Sequence, residues 1–353
     1  MSMKAEDVLL SGESKNILVC GDSLQDLYIH GHFEACQDGC PKFQETDRRY
    51  CFGGADNAAE SLAHSVATVY RAGMTCQTKT RFLVDGKIAW RFDDQLHKKP
   101  QEVARKHALK MVQKVNAVYL ADYAKGFFDG GFMEEMIDHC RTLGVPVVCD
   151  PKRDPKHCTG AILKCNNEYS RQHYVAVERD LREYRGHVIT RGPEVPCVGT
   201  DWLGEPIGKF ADPPACVNHI GAGDCFGAWL TLGLAHGLEL TEAARLAHAA
   251  GRVYVQHPHN RPPWPHEIAK ELDPVGGKVL RPATVMRDGF RASLAGRVVF
   301  CPGVFRIPHA GHAWMLDWAR KQGDYLIVGV NDDVSAFRVK QGAYCLPVQQ
   351  RLH

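Results

Sequence analysis

In the stretch Gly221-Ala222-Gly223-Asp224-Cys225-Phe226-Gly227-Ala228, two glycines flank a small residue, an aspartate follows, and an apolar run begins at once. These residue types at this spacing suit phosphoryl transfer. A glycine has no Cβ to keep a phosphate away from the backbone. The first N–H groups of a helix lack partners and carry partial positive charge, so Gly221, Ala222 and Gly223 can form an anion hole. Asp224 can accept the proton of an attacking hydroxyl. The same residues also read as a plain glycine turn with Asp224 as the helix N-cap.

Holding such a carboxylate in place takes a rigid frame. Short apolar runs alternate with helical patterns along the chain. The pattern predicts strands at Asn16–Cys20, Ala117–Leu120, Val145–Asp150, His187–Arg191, Val298–Cys301 and Tyr325–Val330. It predicts helices at Asn57–Ser65, Gly131–Leu143, Asp224–His236, Thr241–Gln256 (with Thr241 as N-cap) and Gly311–Gln322. This alternation argues for an α/β fold with a mostly parallel sheet, in which ligands bind beyond the carboxyl ends of the strands. Pro258–Pro265 and the polar segment after it read as the exit from a first domain. Arg287–Ala295 reads as a short helix, and Arg297 starts a fresh strand–turn–helix unit. The expected division is a domain at 1–272, a linker at 273–296 and a second unit at 297–353.

Composition narrows the class. A 353-residue chain with 44% hydrophobic and 24% charged residues is ordinary for a globular protein. A net charge of +2 and the lack of a basic block argue against nucleic acid as a partner. No apolar run approaches the roughly 20 residues of a membrane span. The N-terminus shows no signal core, so a cytoplasmic protein is expected. Fourteen cysteines in such a chain predict buried thiols rather than a disulfide framework. His30, His32, Cys36 and Cys40 could in chemistry bind zinc, but their spacing matches no standard finger.

Further motifs stand at or near the ends of apolar runs. Val19-Cys20-Gly21-Asp22-Ser23-Leu24-Gln25-Asp26 carries two carboxylates, each able to accept hydrogen bonds from hydroxyls or to cap a turn. In Phe52-Gly53-Gly54-Ala55-Asp56-Asn57, paired glycines permit close approach, and Asn57 can donate, accept or cap a helix. Thr78-Lys79-Thr80-Arg81 precedes a strand-like stretch ending at Arg91. It is either a phosphate grip, with Arg81 or Lys79, or a solvated basic strand. Asp122-Tyr123-Ala124-Lys125-Gly126, Asp150-Pro151-Lys152, Asn166-Asn167-Glu168 and Thr190-Arg191-Gly192 follow in turn. Beyond residue 297 come Gly303-Val304-Phe305-Arg306-Ile307-Pro308-His309-Ala310-Gly311-His312, then Gly329-Val330-Asn331-Asp332-Asp333 and Lys340.

In this order the motifs resemble the ribokinase-like sugar kinases over roughly Lys15 to Glu271. The closest likeness is to the kinase half of the bifunctional heptose kinase/adenylyltransferases of ADP-heptose and lipopolysaccharide core synthesis. From Arg297 onward the chain resembles their adenylyltransferase half. The resemblance implies a mostly parallel sheet flanked by helices, a small β lid at about Tyr28 to Tyr50, and a partial Rossmann-like nucleotidyltransferase unit. It implies ATP and Mg²⁺ as cofactors and a sugar phosphate as acceptor, foremost a heptose 7-phosphate at its anomeric hydroxyl. Asp224 is then the base and Gly221, Ala222 and Gly223 the anion hole. Asp22, Asp26, Gly53, Gly54, Asn57, Arg81 and Lys125 bind substrate. Asn167, Glu168, Thr190, Arg191 and Gly192 serve ATP and magnesium, with no direct metal ligand assigned. His309, His312 and Lys340 form a nucleotidyltransferase motif. A homodimer joined through the lid is implied by analogy.

The chain departs from the family at several points. Asp56 introduces a charge where the family is small. The segments from Asn57 to Thr78 and from Glu168 to His187 are short, which implies open sheet edges or a weakened nucleotide site. Arg306 replaces an aspartate, and the family's later strands and second phosphate motif lie beyond His353. The transferase unit is therefore expected to be inactive. Two alternatives remain: a degraded kinase fold that binds without turnover, and residual nucleotidyl transfer by the C-terminal unit.

Overall fold

The computed structural model describes residues 3–35, 39–94, 102–166, 168–169, 186–192, 194–199, 205–207, 210, 213–272, 291, 294, 296–341 and 345–352. The chain forms two compact units, Met1–Gly277 and Lys278–His353. Among the described residues, no helix is long and apolar enough to cross a membrane.

The first unit is built on β1 (Asn16–Ala35), β2 (Pro41–Gly54), β3 (Thr68–Val84), β4 (Lys87–Asp93), β5 (Ala117–Ala121), β6 (Val147–Asp150), β7 (Ile162–Asn166), β8 (His187–Arg191), β9 (Glu194–Gly199) and β10 (Glu205–Pro206). The sheet order is β10-β9-β8-β7-β6-β5-β1-β3-β4, with β2 added to β1. Strands β3, β1, β5, β6, β7 and β8 run parallel, and β2, β4, β9 and β10 are antiparallel additions. The helices are α1 (Ala5–Leu10), α2 (Ala55–Glu60), α3 (Glu102–Val112), α4 (Phe132–Thr142), α5 (Ala222–Ala235), α6 (Leu240–Val255) and α7 (Pro265–Leu272).

Successive strand residues point to opposite faces of the sheet. Ile17, Val19, Ala117 and Tyr119 pack on one face with α1, α2, α5, α6 and α7. Leu18, Cys20, Val118 and Leu120 pack on the other with α3 and α4. Burial on both faces is why these strands read as continuous apolar runs. Each fully buried aliphatic side chain contributes about 1.5–3 kcal/mol.

The expected α/β architecture is present, with differences in its elements. Strand β1 is 20 residues long instead of ending at Cys20. Beyond Gly21 it keeps its parallel pairing to β3 and gains β2 as an antiparallel partner from Ser23 to Ala35. Pairing, not apolar content, extends it, and the extension forms a four-stranded lid, β2-β1-β3-β4. The Lys79–Arg81 segment lies inside β3 and not ahead of a strand. Helix α2 starts at Ala55 and ends at Glu60, and β6 starts at Val147. Helix α6 begins at Leu240 with Glu239, not Thr241, in the N-cap position.

The shortened Asn57–Thr78 segment has a visible consequence. Strand β3 follows α2 directly and pairs with β1 from Thr68 onward, whereas β4 joins it only from Lys79 to Val84. Among the described residues, the first part of β3 therefore has a strand partner on one side only. Most of the short Glu168–His187 segment, and most of the helix expected at Arg287–Ala295, lie outside the described residues.

In the second unit β11 (Val298–Gly303) pairs parallel with β12 (Tyr325–Val330). Helix α8 (Ala310–Arg320) connects them, and α9 (Asp333–Val339) and α10 (Val348–Leu352) follow. Phe300, Trp314, Trp318 and Phe337 are exposed in this unit.

Candidate active site

The turn before α5 assembles the site. Gly221 has φ +82° and is the N-cap of the helix. A Cβ there would lie 2.3 Å from Asn57 Nδ2 and 2.6 Å from the Tyr254 hydroxyl. Both the backbone conformation and the space demand glycine. Asn57 Nδ2 donates to the Gly221 carbonyl at 3.2 Å and to Asp224 Oδ2 at 3.2 Å. The Tyr254 hydroxyl lies 3.2 Å from Asn57 Oδ1 and 3.0 Å from the Ile220 carbonyl.

Asp224 is only 3% exposed. Its Oδ1 accepts a 2.6 Å hydrogen bond from the Tyr123 hydroxyl. Burial pushes its carboxyl up to about 6, against the lowering effect of the bonds from Tyr123 and Asn57. Nearby Asp150 adds to the rise, and Lys164 opposes it. Burial, with the Asp224 charge beside it, holds the Tyr123 phenol well above its ordinary value, so it remains a donor.

Asp22 is fully buried and holds the loop that carries Tyr123. Its carboxylate accepts backbone N–H bonds from Tyr123 (2.9 Å), Lys125 (3.0 Å) and Phe127 (3.1 Å). Asp122 closes the same loop by accepting from the Ala124 amide and pairing with Arg153 at 2.7 Å. The geometry thus gives Asp22 a positioning task. Lys125 donates its amide to Asp22, and its ammonium has no acceptor among the described residues.

Across the β1–β3 pairing, Asp26 faces Lys79 and Tyr28 faces Arg81. Arg81 Nη1 reaches Asp26 Oδ1 at 2.5 Å, with both side chains buried. The two residues expected to hold sugar and phosphate separately are therefore an ion pair. A Cβ on Gly53 would stand 2.7 Å from Asp26 Oδ2, and one on Gly54 2.3 Å from the Asp22 carbonyl, so the paired glycines let β2 close on β1. The Lys79 and Lys152 ammonium groups lie 5.0 and 5.8 Å from the centre of the Tyr123 ring. Burial lowers the Lys79 ammonium, partly offset by the charge of Asp26.

The expected nucleotide residues gather at the ends of β7 and β8. Asn166 is the register partner of Thr190, whose hydroxyl donates to the Cys165 carbonyl at 3.2 Å. Arg191 and Gly192 form the turn into β9, with Gly192 at φ +67°. Glu168 is exposed nearby in sequence, and Asn167 lies outside the described residues. Among the described residues these groups share no hydrogen bond or ion pair with Asp224.

In the second unit, His309 is the N-cap of α8 and accepts from the Gly311 amide at 3.1 Å. Its ring stands 3.9 Å from that of His312. Both line a 550 Å³ pocket with Arg306, Phe305 and Lys340, and no carboxylate is among its lining residues. Cys36 lies outside the described residues, and among those described no group of three or more His, Cys, Asp or Glu could hold a metal.

Two site residues escaped the sequence reading. Lys164 left one signal, a lysine inside the apolar run Ile162–Cys165, and it is buried and paired with Asp150 at 2.6 Å. Tyr254 left none, because it reads as one more apolar-face residue of α6.

The chain is similar to known proteins in sequence and in fold. The pfkB family carbohydrate kinase pattern matches residues 187–267, and the cytidylyltransferase-like pattern matches residues 300–353. The chain is 27% identical over 377 residues to the bifunctional protein HldE of Helicobacter pylori strain Shi470, covering 92% of this chain and 81% of that protein. HldE of Mesorhizobium japonicum is 29% identical over 333 residues, 81% of this chain and 64% of its own length. The structure of Arabidopsis thaliana ribokinase with ribose and ATP shares the fold, with a TM-score of 0.60 at 16% identity over 74% of this chain and 99% of that one.

Proposed function

We propose that this chain, a ribokinase-like pfkB kinase region joined to a cytidylyltransferase-like region, moves the terminal phosphoryl group of ATP onto a hydroxyl of a sugar phosphate. The observation that carries this reading is the buried Asp224 carboxylate, held by Tyr123 and Asn57 at a glycine turn that opens a helix. A carboxyl pushed up to about 6 is ionised at neutral pH and still basic enough to take a hydroxyl proton. Lys79 and Lys152 bring positive charge to the Tyr123 ring, which favours an acceptor that already bears a phosphate. The resemblance to heptose kinases makes a heptose 7-phosphate, phosphorylated at its anomeric hydroxyl, the preferred acceptor.

Oxygen ligands suit magnesium, and the exposed Glu168 carboxylate near the end of β7 is the side chain that fits it beside the ATP phosphates. When bound, that ion supplies neutralisation of phosphate charge. Asp224 takes the acceptor proton, Tyr123 and Asn57 keep its two oxygens aimed, and the Gly221 and Gly223 amides receive the anionic oxygens, the Ala222 amide expected with them being already donated to the His219 carbonyl at 3.2 Å. We read the 1–272 segment as the kinase domain. The 297–353 unit is read as catalytically silent, because its pocket offers imidazoles, a guanidinium and an ammonium but no carboxylate for magnesium. Phe33, Trp90 and Phe92 stand exposed on the lid strands, and this apolar surface supports a homodimer.

The test is ADP release from MgATP and heptose 7-phosphate. Asp224→Asn should lower kcat by about 100-fold or more while ATP affinity changes little. Equal loss of turnover and ATP affinity, or a folded wild type inert toward every sugar phosphate, would overturn this reading.

A further inference from the structure

Lys164 has no part in the reading so far, yet it is an ammonium buried within the core of the site. It sits on β7 among Ile162, Leu163 and Cys165, all buried. Its Nζ is 2.6 Å from Asp150 Oδ2, and that oxygen also lies 3.4 Å from the Tyr119 hydroxyl. A Cβ placed on Gly223 would be 3.0 Å from Lys164 Nζ, so the ammonium stands directly against the glycine turn. A lysine carries three donors. Asp150 takes one, and the other two have no acceptor among the described residues. A buried ion pair is a poor way to stabilise a sheet, since apolar residues of similar volume do at least as well. The neighbouring strand positions are filled in that apolar way.

We propose that Lys164 is a phosphate-binding residue whose ammonium meets the terminal phosphate of the nucleotide at the Gly221–Gly223 turn, with Asp150 as the counter-ion that keeps it aimed there. The inference rests on the kinase reading and adds a residue to it. In the transfer, the bond between the acceptor oxygen and the γ-phosphorus forms as the bond from that phosphorus to the β–γ bridging oxygen breaks. The hydroxyl proton goes to Asp224, and ADP leaves with the electron pair. Lys164 exchanges no proton; it offsets charge on the moving group. Glycine at 223 is then required twice, for the approach of phosphate to the backbone and for room beside the ammonium.

Calorimetric titration separates this role from a structural one. Lys164→Met should bind a non-hydrolysable ATP analogue at least about tenfold more weakly, with MgADP affinity within about twofold of wild type. Its kcat should fall about 100-fold with the sugar phosphate KM unchanged. Because Lys164→Met leaves Asp150 unpaired and could fail to fold, the double variant Lys164→Met/Asp150→Leu is measured beside it, and the same selective loss of the triphosphate is expected. Equal weakening of both nucleotides, or no change in either, overturns the inference. An active wild type with an equally active Lys164→Met sinks this proposal alone. A wild type that binds neither nucleotide sinks the kinase reading and this one together.

Discussion

Asp224 must be ionised to accept a proton, yet its surroundings favour the protonated form. Burial raises its carboxyl to about 6, so kcat should fall about tenfold per pH unit below that value. The Tyr123 hydrogen bond opposes the rise, and Tyr123→Phe should therefore move the acid limb to higher pH. A pH profile of kcat for both proteins checks this; an unmoved limb would assign the titration to another group. Linkage fixes the sign for stability. The folded protein holds this proton more tightly than the unfolded chain, whose aspartate titrates near the ordinary 3.8. The contribution of Asp224 to stability is thus fully present below about pH 4 and is lost as pH rises through 6. Thermal melts should show Asp224→Asn gaining on wild type as pH increases across that window.

At the scale of the element, the start of α5 concentrates the constraints. Gly221 and Gly237 bracket the helix with nearly the same φ, +82° and +83°. A Cβ at 237 meets nothing within 4 Å, whereas one at 221 collides with Asn57 and Tyr254. Gly237→Ala should cost about 1–2 kcal/mol from backbone strain alone and leave turnover intact. Gly221→Ala should cost more than that and abolish turnover, because Asn57 must leave Asp224. Urea titrations with activity assays compare the two, and equal effects would remove the special role given to this turn. The long β1 works in the same spirit. Its first part is locked between β3 and β5 in the core, and its continuation carries Asp26 and Tyr28 into the lid.

Across the whole molecule, the lid has two unlike faces. Asp26, Tyr28, Lys79 and Arg81 share the face that holds the buried ion pair. The ring contacts Phe33–Phe43, Phe43–Phe82 and Phe82–Trp90, each between 5.1 and 5.4 Å, form an aromatic ladder across all four strands. Phe33, Trp90 and Phe92 are each about half exposed or more. An apolar patch of this kind marks an interaction surface. We expect sedimentation to find a dimer at micromolar concentration and Trp90→Lys/Phe92→Lys to find a monomer. A monomeric wild type would remove the lid-mediated dimer.

The strand–helix alternation, the glycine turn and the order of the motifs were legible in the sequence because they are local. Continuous apolar runs report strands buried on both faces, and Gly-Ala-Gly-Asp reports a helix start that must stay open. The lid was legible only as a resemblance. Charged residues interrupt the apolar ones in strands β2 and β4, and they are strands because β1 and β3 supply their hydrogen bonds. The site pairings were hidden for the same reason. Asp26 meets Arg81 across 55 residues, and Asn57 meets Asp224 across 167. Sequence spacing carries no information about such distances. Asp22 shows the limit most plainly: as a motif residue it reads as a ligand, and the return of the Tyr123–Phe127 loop to its carboxylate is visible only in the structure. Residue type set the chemistry available to each group. The register of the parallel sheet decided which groups stand close enough to use it.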